Sequence, residues 1–208
     1  MEIKRDGYYY IGEVDSKNLP HGKGELKTKI STYVGEFCHG TKHGFGKEIF
    51  VSGKIYQGQF QNGYFFDSVG TMIDENGTKV IGSFVNYLPN GICSVDSVDY
   101  KYTGEMRNGK KEGKGKYIAV GKAIVDGVWR NDEIVYGDIN YINGTEYKGE
   151  FVNNAPDSKG EQAMLYYHYY KHFSCIDSGK FKIKNNSYEL DKIDYQNLNF
   201  ENKNEFGV

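Results

Sequence analysis

Proline, cysteine and long apolar runs are scarce in this chain of 208 residues. The 3 cysteines, Cys38, Cys93 and Cys175, lie far apart, which excludes a disulfide framework and shows no metal-type spacing. No segment approaches the length needed to span a bilayer, and the sequence does not begin with the apolar segment of a secretory signal. The net charge of −2 favours neither nucleic acid nor an anionic membrane. Together these absences predict a reduced, cytoplasmic, soluble protein that needs no cofactor.

Glycine and aromatic residues are abundant, and they recur at a regular period. Seven times, an aromatic or branched residue is followed by Gly two positions later and by an aromatic or apolar residue four positions later. The copies start at Tyr10, Tyr33, Tyr56, Val80, Tyr102, Val125 and Tyr147, with steps of 23, 23, 24, 22, 23 and 22 residues. A period this regular predicts a stack of similar units, and it favours a binding surface over an enzyme.

The second copy shows what one unit predicts physically. Tyr33, Gly35 and Phe37 are spaced by two, so they share one face of a strand. A tight turn is expected at His39–Gly40, followed by a return strand over residues 44–50, so each unit is predicted to be a β-hairpin. Glycine packs nothing in a strand, and its recurrence suggests a shelf on which a neighbouring ring lies flat. The alternative is that these glycines only relieve crowding between strands.

The complete unit, Tyr-x-Gly-x-aromatic-x-x-Gly-x-x-x-Gly-x-Gly, closely resembles the MORN repeat. The second and fifth copies carry it in full: Tyr33, Gly35, Phe37, Gly40, Gly44 and Gly46, then Tyr102, Gly104, Met106, Gly109, Gly113 and Gly115. The other five copies match in part. In the sixth, Gly127 and Trp129 remain and the paired glycines are absent. The resemblance covers roughly residues 8–165.

The resemblance implies an all-β protein, an elongated, twisted single-layer antiparallel sheet of about seven MORN hairpins. We expect the repeat array to occupy residues 1–165, and residues 166–208 to form C-terminal strands with a capping or partner-binding tail. Some proteins with these repeats are cytoskeletal scaffolds, some carry a catalytic domain, and some act at membrane junctions. The roughly 45 residues after the last repeat are too few for a catalytic domain, so no enzyme is expected.

By this resemblance, the expected function is that of a scaffold that joins other proteins of a large cytoskeletal assembly, in particular of a cilium or axoneme. Homodimers formed through the open sheet ends are a further expectation. Partners are expected to dock on the aromatic rows. These rows comprise Tyr10, Tyr33, Phe37, Tyr56, Phe60, Phe84, Tyr102, Trp129, Tyr147 and Phe151.

The alternative function is a peripheral module that binds phospholipid at a junction of membrane and cytoskeleton. It would use two lysine clusters, which could also meet an acidic partner. The clusters are Lys110, Lys111, Lys114 and Lys116, and Lys180, Lys182 and Lys184. Lysine also blocks exposed sheet edges, which favours the interpretation of the same residues as solvated edge positions.

Two C-terminal features complete the sequence-based expectations. His168, His172 and Cys175 could hold a metal on a helix, but the surrounding aromatic density favours a strand with histidines on its polar face. Residues 185–208 lose the glycine pattern and keep scattered apolar residues. They would either cap the sheet or become ordered on a partner, and the sequence leaves both alternatives open.

Overall fold

The chain forms β-strands joined by short turns. The structure, a computed structural model, describes residues 1–156 and, by backbone alone, residues 162–167, 172–177 and 182–183. Within these ranges there is no helix long and apolar enough to cross a membrane. The strands are β1 (Glu2–Arg5), β2 (Tyr8–Val14), β3 (Pro20–Thr28), β4 (Ser31–Cys38), β5 (Thr41–Phe50), β6 (Ile55–Gln61), β7 (Tyr64–Phe65), β8 (Asp67–Ile73), β9 (Lys79–Val85), β10 (Leu88–Asp96), β11 (Tyr100–Arg107), β12 (Lys110–Ala119), β13 (Ala123–Arg130), β14 (Glu133–Tyr141), β15 (Thr145–Val152), β16 (Ala155–Pro156), β17 (Gln162–Tyr167), β18 (His172–Asp177) and β19 (Lys182–Ile183).

Consecutive strands pair antiparallel along the chain and build one 17-stranded sheet. The short β7 and the longer β8 both pair with β6, and β16 and β19 both pair with β15. Strands β17 and β18 form a separate hairpin. The predicted fold class, a single antiparallel sheet of successive hairpins, is therefore confirmed.

Glycine lies at one level of the sheet in almost every strand. The in-register glycines of the first half are Gly12, Gly24, Gly35, Gly46, Gly58, Gly70 and Gly82, and those of the second half are Gly104, Gly115, Gly127, Gly137 and Gly149. The prediction that the sixth repeat has lost both paired glycines of its return strand is wrong for one of them, because Gly137 lies directly opposite Gly127, as Gly46 lies opposite Gly35. The motif missed it because the chain from Trp129 to Gly137 is one residue shorter than the matching segments of the complete copies.

The two faces of the sheet differ sharply in burial. In β4, Tyr33 and Phe37 are buried, whereas Val34 and Glu36, which point the other way, are exposed. The same alternation continues from strand to strand, so we call the face that carries the motif rings the inner face and the opposite face the outer face. The buried apolar residues form one cluster, and it lies on the inner face.

The motif tyrosine lies flat across the glycine pair. A Cβ built on Gly46 would lie 2.5 Å from ring carbons of Tyr33, and one built on Gly35 would lie 2.5 Å from the Tyr33 hydroxyl. The hydroxyl reaches past the glycines and donates a hydrogen bond to the backbone carbonyl of Glu36 at 2.9 Å. Tyr10, Tyr102 and Tyr147 make the equivalent bond at 2.5, 2.8 and 2.7 Å. The predicted glycine shelf is confirmed.

Repeats without this tyrosine arrangement fill the shelf in other ways. In the third repeat the ring of Phe65 covers Gly58 and Gly70, and in the sixth the side chain of Ile134 covers Gly127. In the fourth, Cys93 itself replaces the second glycine opposite Gly82. In each of these repeats a side chain thus covers the glycine position. The motif describes only the commonest such side chain, which is tyrosine.

Candidate functional site

The ten residues predicted to form a partner-binding surface are core residues. Their relative exposure ranges from 0 to 6%, and their rings pack edge-to-face along the sheet, as Tyr33 does against Phe37 and Phe60 at centroid distances of 5.1 and 4.8 Å. This corrects the expectation that partners dock on these rings. A ring that is covered by its neighbours in the same sheet stabilises the array, and a docking surface has to lie elsewhere.

Partly exposed apolar residues pack over this core, and the motif does not contain them. They are Leu26, Phe50, Met72, Tyr87, Tyr100, Tyr117 and Ile139 among others. Most stand on the return strand of a repeat, where the motif requires only its glycines. Their signal in the sequence is positional: in most return strands, an apolar residue stands two positions after the register glycine, as Leu26 follows Gly24 and Tyr117 follows Gly115.

Glu48 takes this return-strand position in the second repeat and forms a buried polar network. Its carboxylate accepts hydrogen bonds from Lys42 Nζ at 2.6 Å, from the Ser31 hydroxyl at 2.7 Å and from the Tyr87 hydroxyl at 2.7 Å. The side chains of Glu48 and Lys42 are only 4% and 16% exposed. Burial, and then the hydrogen bond to the nearby carboxylate, raise the pKa of Tyr87 well above its usual range. All parts of this network are satisfied, as a buried ion pair requires.

Lys111 occupies in the fifth repeat the place that Lys42 occupies in the second. Aromatic rings surround its ammonium, where a carboxylate faces that of Lys42. Its ammonium lies 5.2 to 5.9 Å from the ring centres of Tyr100, Tyr102, Tyr117 and Trp129. The nearest acidic oxygen, on Asp132, is 3.8 Å away. Burial lowers the pKa of Lys111, since the charged form loses hydration there. Cation–π attraction to the four rings offsets part of that loss.

The predicted lysine cluster around the fifth repeat is therefore divided. Lys111 lies on the inner face among the rings, which corrects its assignment as a lipid contact, while Lys110, Lys114 and Lys116 are exposed. Elsewhere on the sheet surface, several lysines pair with acids. These pairs are Lys27 with Glu25, Lys101 with Asp96 and Lys148 with Asp138, at 2.8, 2.8 and 3.0 Å. Such pairing weakens the field that an anionic membrane would attract.

The predictions for the C-terminal region fall partly outside the described residues. Lys182 lies on β19, opposite Glu146, whereas Lys180, Lys184, His168 and residues 185–208 lie outside. His172 and Cys175 lie on strand β18, as predicted. The aromatic segment is not one continuous strand, however, because β17 and β18 run antiparallel to each other.

The two rims of the array differ in chemistry. Turns inside the repeats are polar, and all but that of the second repeat use Asn with positive φ, which suits the tight hairpin turn. We call this edge the polar rim. The turns that join one repeat to the next form the opposite edge, and most carry a branched aliphatic side chain with 51 to 85% exposure. These residues are Ile30, Val51, Val98, Val120 and Ile142, and we call them the apolar rim.

The apolar rim is built regularly. The backbone N–H of Val51 donates to the carbonyl of Ile30 at 2.9 Å, and that of Ile142 donates to the carbonyl of Lys122 at 2.9 Å. Each of these two junction turns is thereby fixed against the preceding one. The turn between β8 and β9, residues 74–78, is polar and interrupts the row. Sequence reasoning missed this feature because single aliphatics in turns carry no periodic signal until the fold aligns the turns.

The polar rim contains a group of metal-ligating side chains between the first and second repeats. One ligand atom each of His21, Cys38 and His39 lies within 4.8 Å of the others. His39 Nδ1 donates to the Asp15 carboxylate at 2.9 Å, and Asp15 also accepts the backbone N–H groups of Lys17 and Leu19. The hydrogen bond with His39 lowers the pKa of Asp15 to about 2. The sequence spacing of these residues did not indicate a ligand set.

These observations define a class of protein, an open repeat sheet in which each hairpin seats an aromatic ring on paired glycines. A family model described as the MORN repeat matches residues 10–28, 33–55, 56–79, 102–120 and 147–162. The chain belongs to the MORN-repeat proteins. It is also similar to a protein named "Inactive protein tyrosine kinase pTKL" from Plasmodium berghei (strain Anka), with 44% identity over 45 residues. The match covers 21% of this chain and 3% of that relative.

Proposed function

We propose that this protein is a non-enzymatic scaffold that binds other proteins through its apolar rim. The observation that carries the proposal is the row of exposed branched aliphatics on the junction turns. Exposed aliphatics arranged in a row differ from the isolated apolar residues found on any surface, and they mark an interaction site. The motif rings cannot serve in that role because they are covered.

The spacing of the rim indicates the partner that it would suit. Neighbouring junction turns are two strands apart, which is about 9.6 Å at the usual strand separation. One heptad of an α-helix rises about 10.5 Å. A helix with an apolar residue once per heptad would therefore place one side chain against each turn. The polar turn at residues 74–78 divides the rim into a pair (Ile30 and Val51) and a group of three (Val98, Val120 and Ile142).

The cytoskeletal setting and its ciliary form are also proposed, and they rest on the family resemblance. An extended sheet with one interaction edge is well suited to joining the components of an assembly. Cytoplasmic location and partners in a large assembly follow from the same proposal.

Proximity labelling in cells, followed by binding of the purified candidates, tests the function. The tagged full chain is compared with Val98→Asp/Val120→Asp, which places charge on the exposed rim without touching the core. The matched control is Glu75→Lys, a charge change on the polar junction turn. Partners retained by the control and lost by the rim variant support the proposal. Equal binding by all three proteins contradicts it.

A phospholipid-binding module remains the competing function, favoured by the exposed Lys114 and Lys116. It is tested by flotation of the purified protein with anionic vesicles at rising salt. Binding that weakens steeply with salt and is lost in Lys114→Glu/Lys116→Glu, while the rim variant binds normally, would overturn the scaffold proposal.

A further inference from the structure

The turn of the second repeat departs from the pattern of the polar rim. At the other internal turns, the left-handed position is held by Asn18, Asn62, Asn86, Asn108, Asn131 and Asn153, with φ between 50 and 58°. In the second repeat His39 holds it, with a φ of 46°. Asn suits this conformation because its short side chain hydrogen-bonds locally. A histidine at the one exception indicates that its imidazole has a use.

The surroundings of His39 supply that use. Cys38 is the last residue of β4, and His21 is the second residue of β3, where the pairing of Gly22 with Phe37 brings the two strands together. The His21 and His39 rings lie with centroids 5.2 Å apart. The backbone N–H of Gly40 donates to the carbonyl of Pro20 at 2.8 Å and ties the turn to β3.

We propose that His21, Cys38 and His39 bind a divalent transition-metal ion of the zinc type. One thiolate and two imidazoles form a donor set that prefers such an ion over calcium or magnesium. Ligand atoms within 4.8 Å of one another are close enough to converge on one tetrahedral ion. The remaining coordination position is left for water.

Asp15 is the positioning residue of this site. Its carboxylate engages Nδ1 of His39 and leaves the lone pair of Nε2 free for the metal. A carboxylate that holds a ligating histidine in this way is usual around zinc. Because two backbone N–H groups fix the carboxylate, the loop after β2 is coupled to the site. A bound ion would therefore join the first repeat to the turn of the second.

Cobalt(II) is the probe for the first experiment, because a thiolate ligand gives it a charge-transfer absorption. Untagged full-length protein is titrated with Co²⁺, and zinc affinity is then measured by competition. We expect one equivalent to produce the thiolate band. Cys38→Ser should abolish the band, and Asp15→Asn should keep it while weakening affinity roughly 10- to 100-fold.

The chain offers matched controls. His43 holds the same motif position in the second repeat as His21 holds in the first, so His43→Gln should leave binding unchanged whereas His21→Gln weakens it. His39→Asn installs the residue used at the other turns, so that variant should fold and lose affinity. Cys93→Ser and Cys175→Ser should keep the band.

Three results would overturn the proposal. One is the absence of a thiolate band at one equivalent of Co²⁺ in the folded protein. Another is a band that survives Cys38→Ser or disappears in Cys175→Ser. The last is an equal loss of affinity in His43→Gln and His21→Gln. Circular dichroism of each variant confirms that it is folded.

Discussion

Replacing Gly46 by Ala should destabilise the array strongly, although the same change usually stabilises a strand. Gly46 has an ordinary backbone conformation, so Ala would normally gain roughly 0.5–1 kcal/mol by reducing chain entropy. Here the new methyl would lie 2.5 Å from carbons of the Tyr33 ring. The ring has no free space, because it is 1% exposed and packs against Phe37 and Phe60.

The expected cost follows from this geometry. Forcing a methyl into a packed core costs typically 1–3 kcal/mol, and a displaced ring also loses edge-to-face contacts of about 0.5–1.5 kcal/mol each. We therefore expect a loss of about 3 kcal/mol in the free energy of unfolding. Gly63→Ala is the reference for open space, since nothing lies within 4 Å of its Cβ and only the left-handed backbone, with φ of 88°, is penalised.

Urea unfolding measures the global effect, and hydrogen exchange in β4 and β5 measures the local one. The decisive test is a double-mutant cycle with Tyr33→Leu, which removes the ring. In that background Gly46→Ala should cost little, so the coupling energy should approach the whole single-mutant loss. A neutral Gly46→Ala would refute the shelf. The same loss with and without the ring would favour simple strand crowding instead.

Three further predictions concern the buried charges and the tyrosines. Lys42→Met should lower the free energy of unfolding by about 3 kcal/mol, because it leaves the Glu48 carboxylate buried without its cation. In urea unfolding, Lys42→Met/Glu48→Leu should recover most of that loss. An equal loss in the double variant would contradict this prediction. Lys111→Met should be neutral or stabilising in the same assay, because no buried carboxylate loses its partner there. A loss of stability as large as that of Lys42→Met would show that the ammonium contributes to the packing of the rings. The free energy of unfolding should fall above about pH 10, because burial raises the pKa of Tyr56 from 10.0 to about 12 in the folded protein. The unfolded chain releases the phenol proton first, so up to about 3 kcal/mol of stability is lost between pH 10 and 12. Unfolding whose pH dependence is the same in Tyr56→Phe would disprove this.

The repeat and its glycine pattern could be predicted from the sequence, but the role of the rings could not. The spacing of Tyr33, Gly35 and Phe37 determines which face they share. It does not determine whether that face is open, because exposure depends on the rings supplied by neighbouring repeats. Phe60 covers Tyr33 from another repeat, and only the register of β5 with β6 brings them together. The partner-binding prediction failed at this step.

The same reason explains the charged residues. The fifth repeat has one cluster of lysines in the sequence: Lys110, Lys111, Lys114 and Lys116. In the fold, the pleat and the turn place these side chains in different surroundings. Lys111 enters the aromatic layer, and the others remain in water. A hairpin alternates its side chains between two faces, so proximity in sequence does not imply a shared surface.

The sequence by itself determined the unit of this protein, because a local period of glycine and aromatic residues defines a hairpin that can only bury its rings against copies of itself. It also indicated the family and the direction of the strands. Tertiary structure alone decided which side chains meet across repeats: the occupant of each glycine shelf, the Glu48 network, the apolar rim and the group formed by His21, Cys38 and His39. Several of those contacts join distant parts of the sequence, as Glu48 meets Ser31, which is 17 positions away, and Tyr87, which is 39 positions away. Strand register, which aligns whole strands, sets such contacts together.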